Sequence, residues 1–267
     1  MSSSIKLNIN IRDTDYAVPL LNWHADTIEE MSLSIESGYP AQLSPVQQMD
    51  RLVSFVVNRV RYPLALATRI PEFRSLRNLE FYNTCMMGNA FISALKNVNT
   101  LEKLTIHSEI SADMAASMVT TINEQGQETS HDCTQQGNGP RKLAYVSLMK
   151  CKFLEDPVLE AVGNIKTLSS ISIGYAPAIT SKGINAFCEQ LNLLPELSSI
   201  TLSGPHCVDD STLSILGSSS TSTISKSWDV TKTITLKLLD NVTKEALDQL
   251  SKKQGVSLIS YNCARRP

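Results

Sequence analysis

The amino-acid sequence predicts an α/β fold, a solenoid with a curved parallel β-sheet on the inside and helices on the outside. Ten segments fit one template, in which an apolar residue is followed, after two variable positions, by two apolar residues separated by one. The segments recur at near-constant steps, and a second apolar pattern with helical spacing follows several of them. One strand and one helix cannot bury their apolar faces alone, so the units are expected to stack around a shared core.

The length of the step indicates the kind of solenoid. Seven of the nine steps are between 24 and 29 residues long. Periods of 20–29 residues with an L-x-x-L-x-L core are typical of leucine-rich repeats. We therefore expect a single domain of about ten leucine-rich repeats over residues 1–267. The templates begin at Ser4, Ile28, Leu52, Leu76, Leu101, Leu143, Leu168, Leu197, Thr231 and Val256.

The alternating part of each template predicts a short strand. Alternate apolar residues, such as Leu79 and Phe81, are expected to point into the core, while their neighbours face the concave surface. In the last repeat, the template places Ile259 and Tyr261 at the inward positions. The expected strands are residues 6–10, 30–34, 54–58, 78–82, 103–107, 145–149, 170–174, 199–203, 233–237 and 258–262.

Four segments with helical spacing predict the outer helices. They begin at Asp156, Thr180, Asp209 and Thr243. Asp and Thr side chains accept hydrogen bonds from backbone N–H groups in the first turn of a helix. These four residues are therefore expected to cap the helices that they begin.

Two steps, of 42 and 34 residues, are too long for one repeat. Residues 123–140 are polar, Gly-rich and without an aliphatic anchor, which predicts a mobile insertion. A second insertion is expected at 217–229, which is rich in Ser and Thr. The first strand begins almost at residue 4 without the polar cap that a solenoid end normally needs, so we expect a fragment of a longer protein.

Composition excludes several classes of partner. The net charge is −2 and the basic residues are scattered, which argues against nucleic acid and against an anionic membrane. The N-terminus lacks the pattern of a secretory signal, and no apolar run reaches the length of a membrane span. Six widely spaced cysteines indicate reduced thiols and a cytosolic or nuclear setting, of which we expect the cytoplasm.

The sequence also argues against catalysis. It contains no phosphate-binding glycine loop, no G-x-S-x-G elbow and no H-E-x-x-H pair. His131 and Cys133 are close together, but no second pair of ligands is near them, so neither a metal nor a cofactor is expected. Cys188 is expected in the core. Four other cysteines follow predicted strands, where a side chain can donate to the carbonyls of a turn: Cys85, Cys151, Cys207 and Cys263.

The concave face offers the best candidate site. Neighbouring strands lie about 4.8 Å apart, so side chains at equivalent positions are expected to form one patch in the middle of the solenoid. Aromatic residues and Met are enriched at the centres of protein interfaces, although these could also be ordinary half-exposed strand residues. The sequence therefore predicts a protein ligand on this face. The candidate residues are Tyr82, His107, Tyr145 and Met149, with Glu80 and Lys103 beside them.

Two families resemble this chain. The segments CKFLEDPVLEAV from Cys151 and HCVDDSTLSIL from His206 resemble the cysteine-containing repeats of F-box adaptors. The segments GINAFCEQL from Gly183 and LPELSSITL from Leu194 resemble the C-terminal repeats of NLR-type intracellular immune receptors.

The resemblances imply different functions. The leading hypothesis is the ligand-sensing or autoinhibitory repeat domain of an NLR-like receptor, which would also contact other domains of its own full-length chain. The alternative is the substrate-recognition domain of an F-box-type ubiquitin-ligase adaptor. An enzyme with a site in residues 123–140 is a third and weaker hypothesis.

Overall fold

A computed structural model gives the structure of the chain at residues 5–11, 27–35, 49–59, 70, 73–83, 98, 100–108, 143–204, 207–218 and 232–261. The chain divides into two compact units, unit 1 over Met1–Leu143 and unit 2 over Ala144–Pro267. The prediction of a single domain stays a prediction. Within the described ranges, no helix has the length and apolar character needed to cross a bilayer.

The described residues of unit 1 form five strands that pair in chain order, and each pairs with its neighbour in parallel. Parallel neighbours that follow one another in sequence require a crossover in every repeat, as the repeat pattern predicts. The strands are β1 Ile5–Ile11, β2 Ile28–Ile35, β3 Ser54–Asn58, β4 Asn78–Tyr82 and β5 Lys103–His107.

Unit 2 alternates strands and helices. Its five strands also pair in parallel in chain order. The strands are β6 Tyr145–Met149, β7 Ser170–Gly174, β8 Ser199–Ser203, β9 Lys232–Lys237 and β10 Val256–Tyr261. The crossover helices are α1 Asp156–Gly163, α2 Ser181–Asn192, α3 Asp210–Leu216 and α4 Lys244–Ser251.

The core lies on the inward side of the strands. Leu79 and Phe81 of β4 are fully buried, as the template predicts, and so are Ile171 and Ile173 of β7. The leucines that begin the templates are buried too, and together they form one slot per repeat. This slot is filled by Leu52, Leu76 and Leu101 in unit 1 and by Leu168 and Leu197 in unit 2.

The predicted strand bounds are confirmed for β3 to β8, but the last strand is wrong by one position. Leu258, not Ile259, pairs with the buried Ile234, and Ile259 pairs with Thr235 and is 38% exposed. The turn before β10 explains the difference. Gly255 adopts a φ of 78°, and its carbonyl accepts a bond from Lys232 N at 2.7 Å. Strand β10 therefore begins at Val256, two residues before the expected start, and its inward positions are shifted by one residue.

The helix starts are mostly as predicted. The Thr180 and Thr243 side chains accept bonds from Gly183 N and Ala246 N, and Asp209 forms a capping box with Thr212. Asp156 is the exception, because it lies at the first position of α1 rather than at the cap. Its carboxylate instead accepts bonds from the backbone and side chain of Thr180, in the next repeat.

The residue after each of six strands adopts the left-handed conformation. The φ values lie between 50° and 63°, at Arg59, Asn83, Lys150, Tyr175, Gly204 and Leu238. In five of the six, the backbone N–H donates to the last carbonyl of the next strand, as Tyr175 N does to Ser203 O at 2.9 Å. This turn carries the chain from the sheet towards the outer layer in repeat after repeat.

The predicted insertion at 123–140 lies outside the described residues. Of the second, 217–229, only Gly217 and Ser218 are described, and Gly217 forms the C-cap of α3.

Candidate protein-binding surface

Strands β4 and β5 place four of the predicted site residues side by side in unit 1. Their register pairs Tyr82 with His107, and Asn78 with Lys103. Glu80 lies between Asn78 and Tyr82 on the same side of β4, because side chains alternate along a strand. Glu80, Tyr82, Lys103 and His107 are all half-buried, while the inward residues between them are fully or almost fully buried.

The Glu80 carboxylate joins two of these side chains. Lys103 Nζ donates to Glu80 Oε1 at 2.6 Å, and the Tyr82 hydroxyl donates to Glu80 Oε2 at 2.5 Å. The Glu80 side chain is only 15% exposed, whereas that of Lys103 is 36% exposed. Partial burial shields the pair from water, which strengthens it relative to a fully exposed ion pair.

These contacts set the ionisation of Glu80. Burial alone would raise the pKa of its carboxyl. The hydrogen bonds from Lys103 and Tyr82, together with the positive charges of Lys103 and His107, outweigh burial and lower the pKa below its ordinary value. The Glu80 carboxyl group is therefore ionised at neutral pH.

An aromatic contact completes the cluster. The rings of Tyr82 and His107 lie with their centroids 5.1 Å apart and their planes at 78°, an edge-to-face arrangement. Tyr82 is thus held at both ends, by His107 at its ring and by Glu80 at its hydroxyl. We name Glu80, Tyr82, Lys103 and His107 the unit 1 cluster.

The centre of this face is less open than the alternation predicts. Thr105 occupies a concave position opposite Glu80, yet it is only 3% exposed. Among the described residues its hydroxyl has no hydrogen-bond partner. The expectation that every concave position faces solvent is therefore wrong at Thr105.

Tyr145 and Met149 lie on β6 in unit 2, and both are half-buried. Met149 lies over Gly174 of the neighbouring strand, where an added Cβ would come within 2.5 Å of its terminal methyl carbon. The Ser172 hydroxyl is 3.7 Å from its sulfur. Because Gly174 has no side chain, the Met149 side chain can lie flat along the sheet. That Tyr145 and Met149 share one patch with the unit 1 cluster stays a prediction.

Three of the six cysteines lie in the described residues. Cys151, Cys188 and Cys207 are free thiols. The Cys151 side chain is fully buried and donates to Met149 O at 3.5 Å, which confirms the predicted role in the turn after the strand. Cys188 is buried in the core, and burial also raises the pKa of the Cys207 thiol, to about 11. Cys85, Cys133 and Cys263 lie outside the described residues.

Within the described part of the chain, no three His, Cys, Asp or Glu side chains form a group that could hold a metal ion. The predicted pair His131 and Cys133 lies outside this part.

The sequence pattern identified the residues of the unit 1 cluster but not their bonds. Tyr82 and His107 stand out because they are large side chains at outward strand positions. The hydrogen bond from Lys103 to Glu80 depends on the register between β4 and β5, and this register becomes visible only when both strands are placed. The one available signal was the opposite charge of Glu80 and Lys103 in neighbouring repeats.

Comparisons with known proteins show the fold. The sequence matches no known protein-family model and no curated protein. In a search of solved structures, the chain is similar to one described as the crystal structure of the Rad7 and Elc1 complex in yeast. The match has a TM-score of 0.57 and 17% sequence identity. It covers 90% of this chain and 56% of the matched chain.

This structural similarity agrees with the observed architecture. Each unit has one parallel strand per repeat, and in unit 2 one outer helix joins each strand to the next. Together with the 24–29-residue step and the buried leucine slots, these features identify the fold as a leucine-rich repeat solenoid.

Proposed function

We propose that this chain is a non-catalytic protein-recognition module whose concave sheet face binds a protein partner. The observation that carries the proposal is the unit 1 cluster, in which an aromatic side chain at an outward strand position is held in place by its neighbours. The cluster lies on strands rather than loops, so its geometry is fixed by the sheet.

The physical argument is one of pre-organisation. Binding normally costs free energy because side chains lose rotamer freedom, about 0.5–1.5 kcal/mol for each immobilised side chain. Tyr82 has already lost much of that freedom through its contacts with His107 and Glu80. Tyrosine also contributes large contact areas at the centres of interfaces. A partner that covers Tyr82 would therefore gain burial at a small entropic cost.

The comparison gives independent support. The matched structure is a complex between two proteins, so at least one similar fold takes part in protein binding.

Two finer functions are consistent with this proposal. The first is the ligand-sensing or autoinhibitory domain of an NLR-like receptor in the cytoplasm, and the second is the substrate-holding domain of an F-box-type adaptor. The buried Cys151 and its bond to the turn favour the adaptor, because the cysteine-containing repeats are the basis of that resemblance. Neither function requires a cofactor.

Affinity capture with the intact chain from its native cells tests the general proposal and separates the two finer functions. We expect a specific partner protein to be recovered with the wild-type chain. Recovery of cullin-containing ubiquitin-ligase subunits would reject the receptor. Recovery of a nucleotide-binding receptor segment without those subunits would reject the adaptor.

The captured partner then tests the site. We expect Tyr82→Ala and Tyr145→Ala each to weaken its affinity by more than ~1 kcal/mol, measured by isothermal titration calorimetry. The thermal melt of Tyr145→Ala should stay unchanged, because this residue lies on the outward side of the sheet. Tyr82→Ala should melt somewhat lower, because Glu80 loses a hydrogen bond. Ser54→Ala, at an outward position of the adjacent strand β3, serves as the control. Equal affinities for all four proteins would reject the concave site.

A further inference from the structure

A second surface of unit 2 borders the concave face at the ends of the strands. The left-handed residues after β6, β7, β8 and β9 form a continuous row at the ends of the strands. Lys150 N donates to Gly174 O, Tyr175 N donates to Ser203 O, and Gly204 N donates to Lys237 O, all at 2.8–2.9 Å. Each of these three residues therefore lies beside the end of the next strand, about 4.8 Å away. We name Lys150, Tyr175, Gly204 and Leu238 the exit row.

The backbone of the exit row favours small residues. A positive φ is easily adopted by Gly and tolerated by Asn, but it strains the backbone of other residues. The equivalent positions at Gly204 and Asn83 follow this preference. Arg59, Lys150, Tyr175 and Leu238 do not, although their φ values are just as positive, and of these four only Tyr175 and Leu238 have large apolar side chains. Local backbone stability thus gives no reason for two bulky side chains here.

Core packing gives no reason either. Tyr175 and Leu238 are each 43% exposed, far more than the inward residues of the same strands. Between them lies Gly204, and a Cβ added there would come within 3.1 Å of the Tyr175 ring. The ring therefore extends along the row over Gly204, towards Leu238. The Tyr175 ring, the Gly204 backbone and the Leu238 side chain form one exposed apolar strip.

Basic residues flank this strip. Exposed Lys150 lies beside Tyr175 at one end, and exposed Lys237 precedes Leu238 at the other. One acidic residue, the exposed Asp240, follows two positions after Leu238. An apolar strip between two lysines complements a segment in which large apolar side chains alternate with carboxylates.

We propose that the exit row is a docking site for an acidic peptide segment of another protein, with Leu or aromatic side chains packing against Tyr175 and Leu238. Carboxylates on either side of those anchors pair with Lys150 and Lys237. The site lies along the ends of the strands of unit 2, where Lys150 directly follows Met149, so it borders the concave face.

The probe is a phage-displayed library of random linear peptides, selected against the intact chain. We expect the enriched peptides to combine Asp or Glu with Leu, Phe or Tyr. A fluorescein-labelled synthetic copy of the most enriched peptide is then titrated with variants, and binding is read by fluorescence anisotropy. Tyr175→Asn and Leu238→Asn should each weaken binding about tenfold, as expected for the loss of an interface anchor.

Asn is chosen because it accepts the left-handed conformation, so these variants lose the apolar side chain without losing the turn. Their thermal melts should be equal to or above the wild-type melt. Lys150→Glu should weaken binding to a similar extent, with a loss that shrinks as salt is added. The control is Leu193→Ala, which removes a large side chain that is 68% exposed but lies at the end of α2.

Four outcomes would overturn the proposal. The first is a library that yields no enriched peptide, and the second is an enriched set that is basic. The third is a peptide that binds the wild type and the three exit-row variants with the same affinity, or that Leu193→Ala weakens as much as the exit-row variants do. The fourth is self-association of the chain in analytical ultracentrifugation that Leu238→Asn abolishes, which would make a second copy of the chain the occupant. All four leave the concave-face proposal untouched, because Tyr82 lies in unit 1.

Discussion

Glu80 shows how one carboxylate organises a binding surface. It accepts a hydrogen bond from the lysine of the neighbouring repeat and another from the tyrosine two residues along its own strand. Its side chain is mostly buried, so an uncompensated charge here would be costly. The two donors compensate that charge, and in return the carboxylate fixes the position of both.

Glu80→Gln is expected to lower the free energy of unfolding by roughly 1–2 kcal/mol at neutral pH, because hydrogen bonds to a charged group are lost. The pKa of Glu80 is lowered in the folded state, so its stabilisation is present above the pKa of the unfolded chain. It disappears as the pH falls through the folded pKa. The difference between wild type and variant should therefore shrink between about pH 7 and about pH 3, measured by urea unfolding.

The matched control is Glu102→Gln. Glu102 pairs with Arg77 at 3.5 Å, but the two side chains are 41% and 60% exposed. Exposed ion pairs contribute little, so this variant should differ from wild type by less than about 0.5 kcal/mol at either pH. If Glu80→Gln lowers the free energy of unfolding no more than Glu102→Gln does, the hydrogen bonds of Glu80 are too weak to order Tyr82.

At the scale of elements, the helices of unit 2 are linked through their N-termini. The Asp156 carboxylate at the start of α1 accepts two bonds from Thr180, the cap of α2. The Asp210 carboxylate at the start of α3 does the same for Thr243, the cap of α4. Between these pairs, Asn185 of α2 bonds with Ser211 and Thr212 of α3. A polar ladder thus runs from repeat to repeat on the outside of unit 2.

Gly183 makes one step of this ladder possible. A Cβ at this position would overlap the Asp156 carboxylate. We expect Gly183→Ala to lower the free energy of unfolding by about 1 kcal/mol, although Ala is the better helix former, because the displaced Asp156 loses its bonds to Thr180. Thermal and chemical denaturation both measure this change.

Gly163→Ala is the matched control in the neighbouring helix. Its Cβ would also overlap a side chain, that of Gln190, but Gln190 Oε1 has no hydrogen-bond partner among the described residues. Gln190 can move away without losing a bond, so this variant should be neutral or slightly stabilising. A stabilising Gly183→Ala would show that the Asp156 bonds contribute little.

At the scale of the whole molecule, the division into two compact units has a direct consequence. In a solenoid each repeat contacts mainly its neighbours, so stability is close to a sum over adjacent repeats. Where it is described, unit 2 has five paired strands and four crossover helices of its own. Its apolar core is continuous along that part of the chain.

A fragment covering residues 144–267 is therefore expected to fold alone. Circular dichroism should show mixed helix and strand signals, and urea should unfold the fragment in one cooperative transition. The fragment should also retain the peptide binding assigned to the exit row. A fragment without cooperative unfolding would mean that the division at residue 143 does not mark an independent folding unit.

The sequence by itself determined the repeat, the strand bounds of β3 to β8, the starts of the helices and the identity of the buried leucines. These features follow from periodicity, because each repeat must bury the same face against the next one. The register of β10 was not predicted by this periodicity, because the turn at Gly255 sets the first pairing of that strand. Only the tertiary structure decided that Asp156 bonds to the following repeat and that Thr105 is covered. It also placed Tyr175 and Leu238 in one exposed row. Such contacts join residues of different repeats, and the pattern along the sequence does not specify which side chains of neighbouring repeats touch.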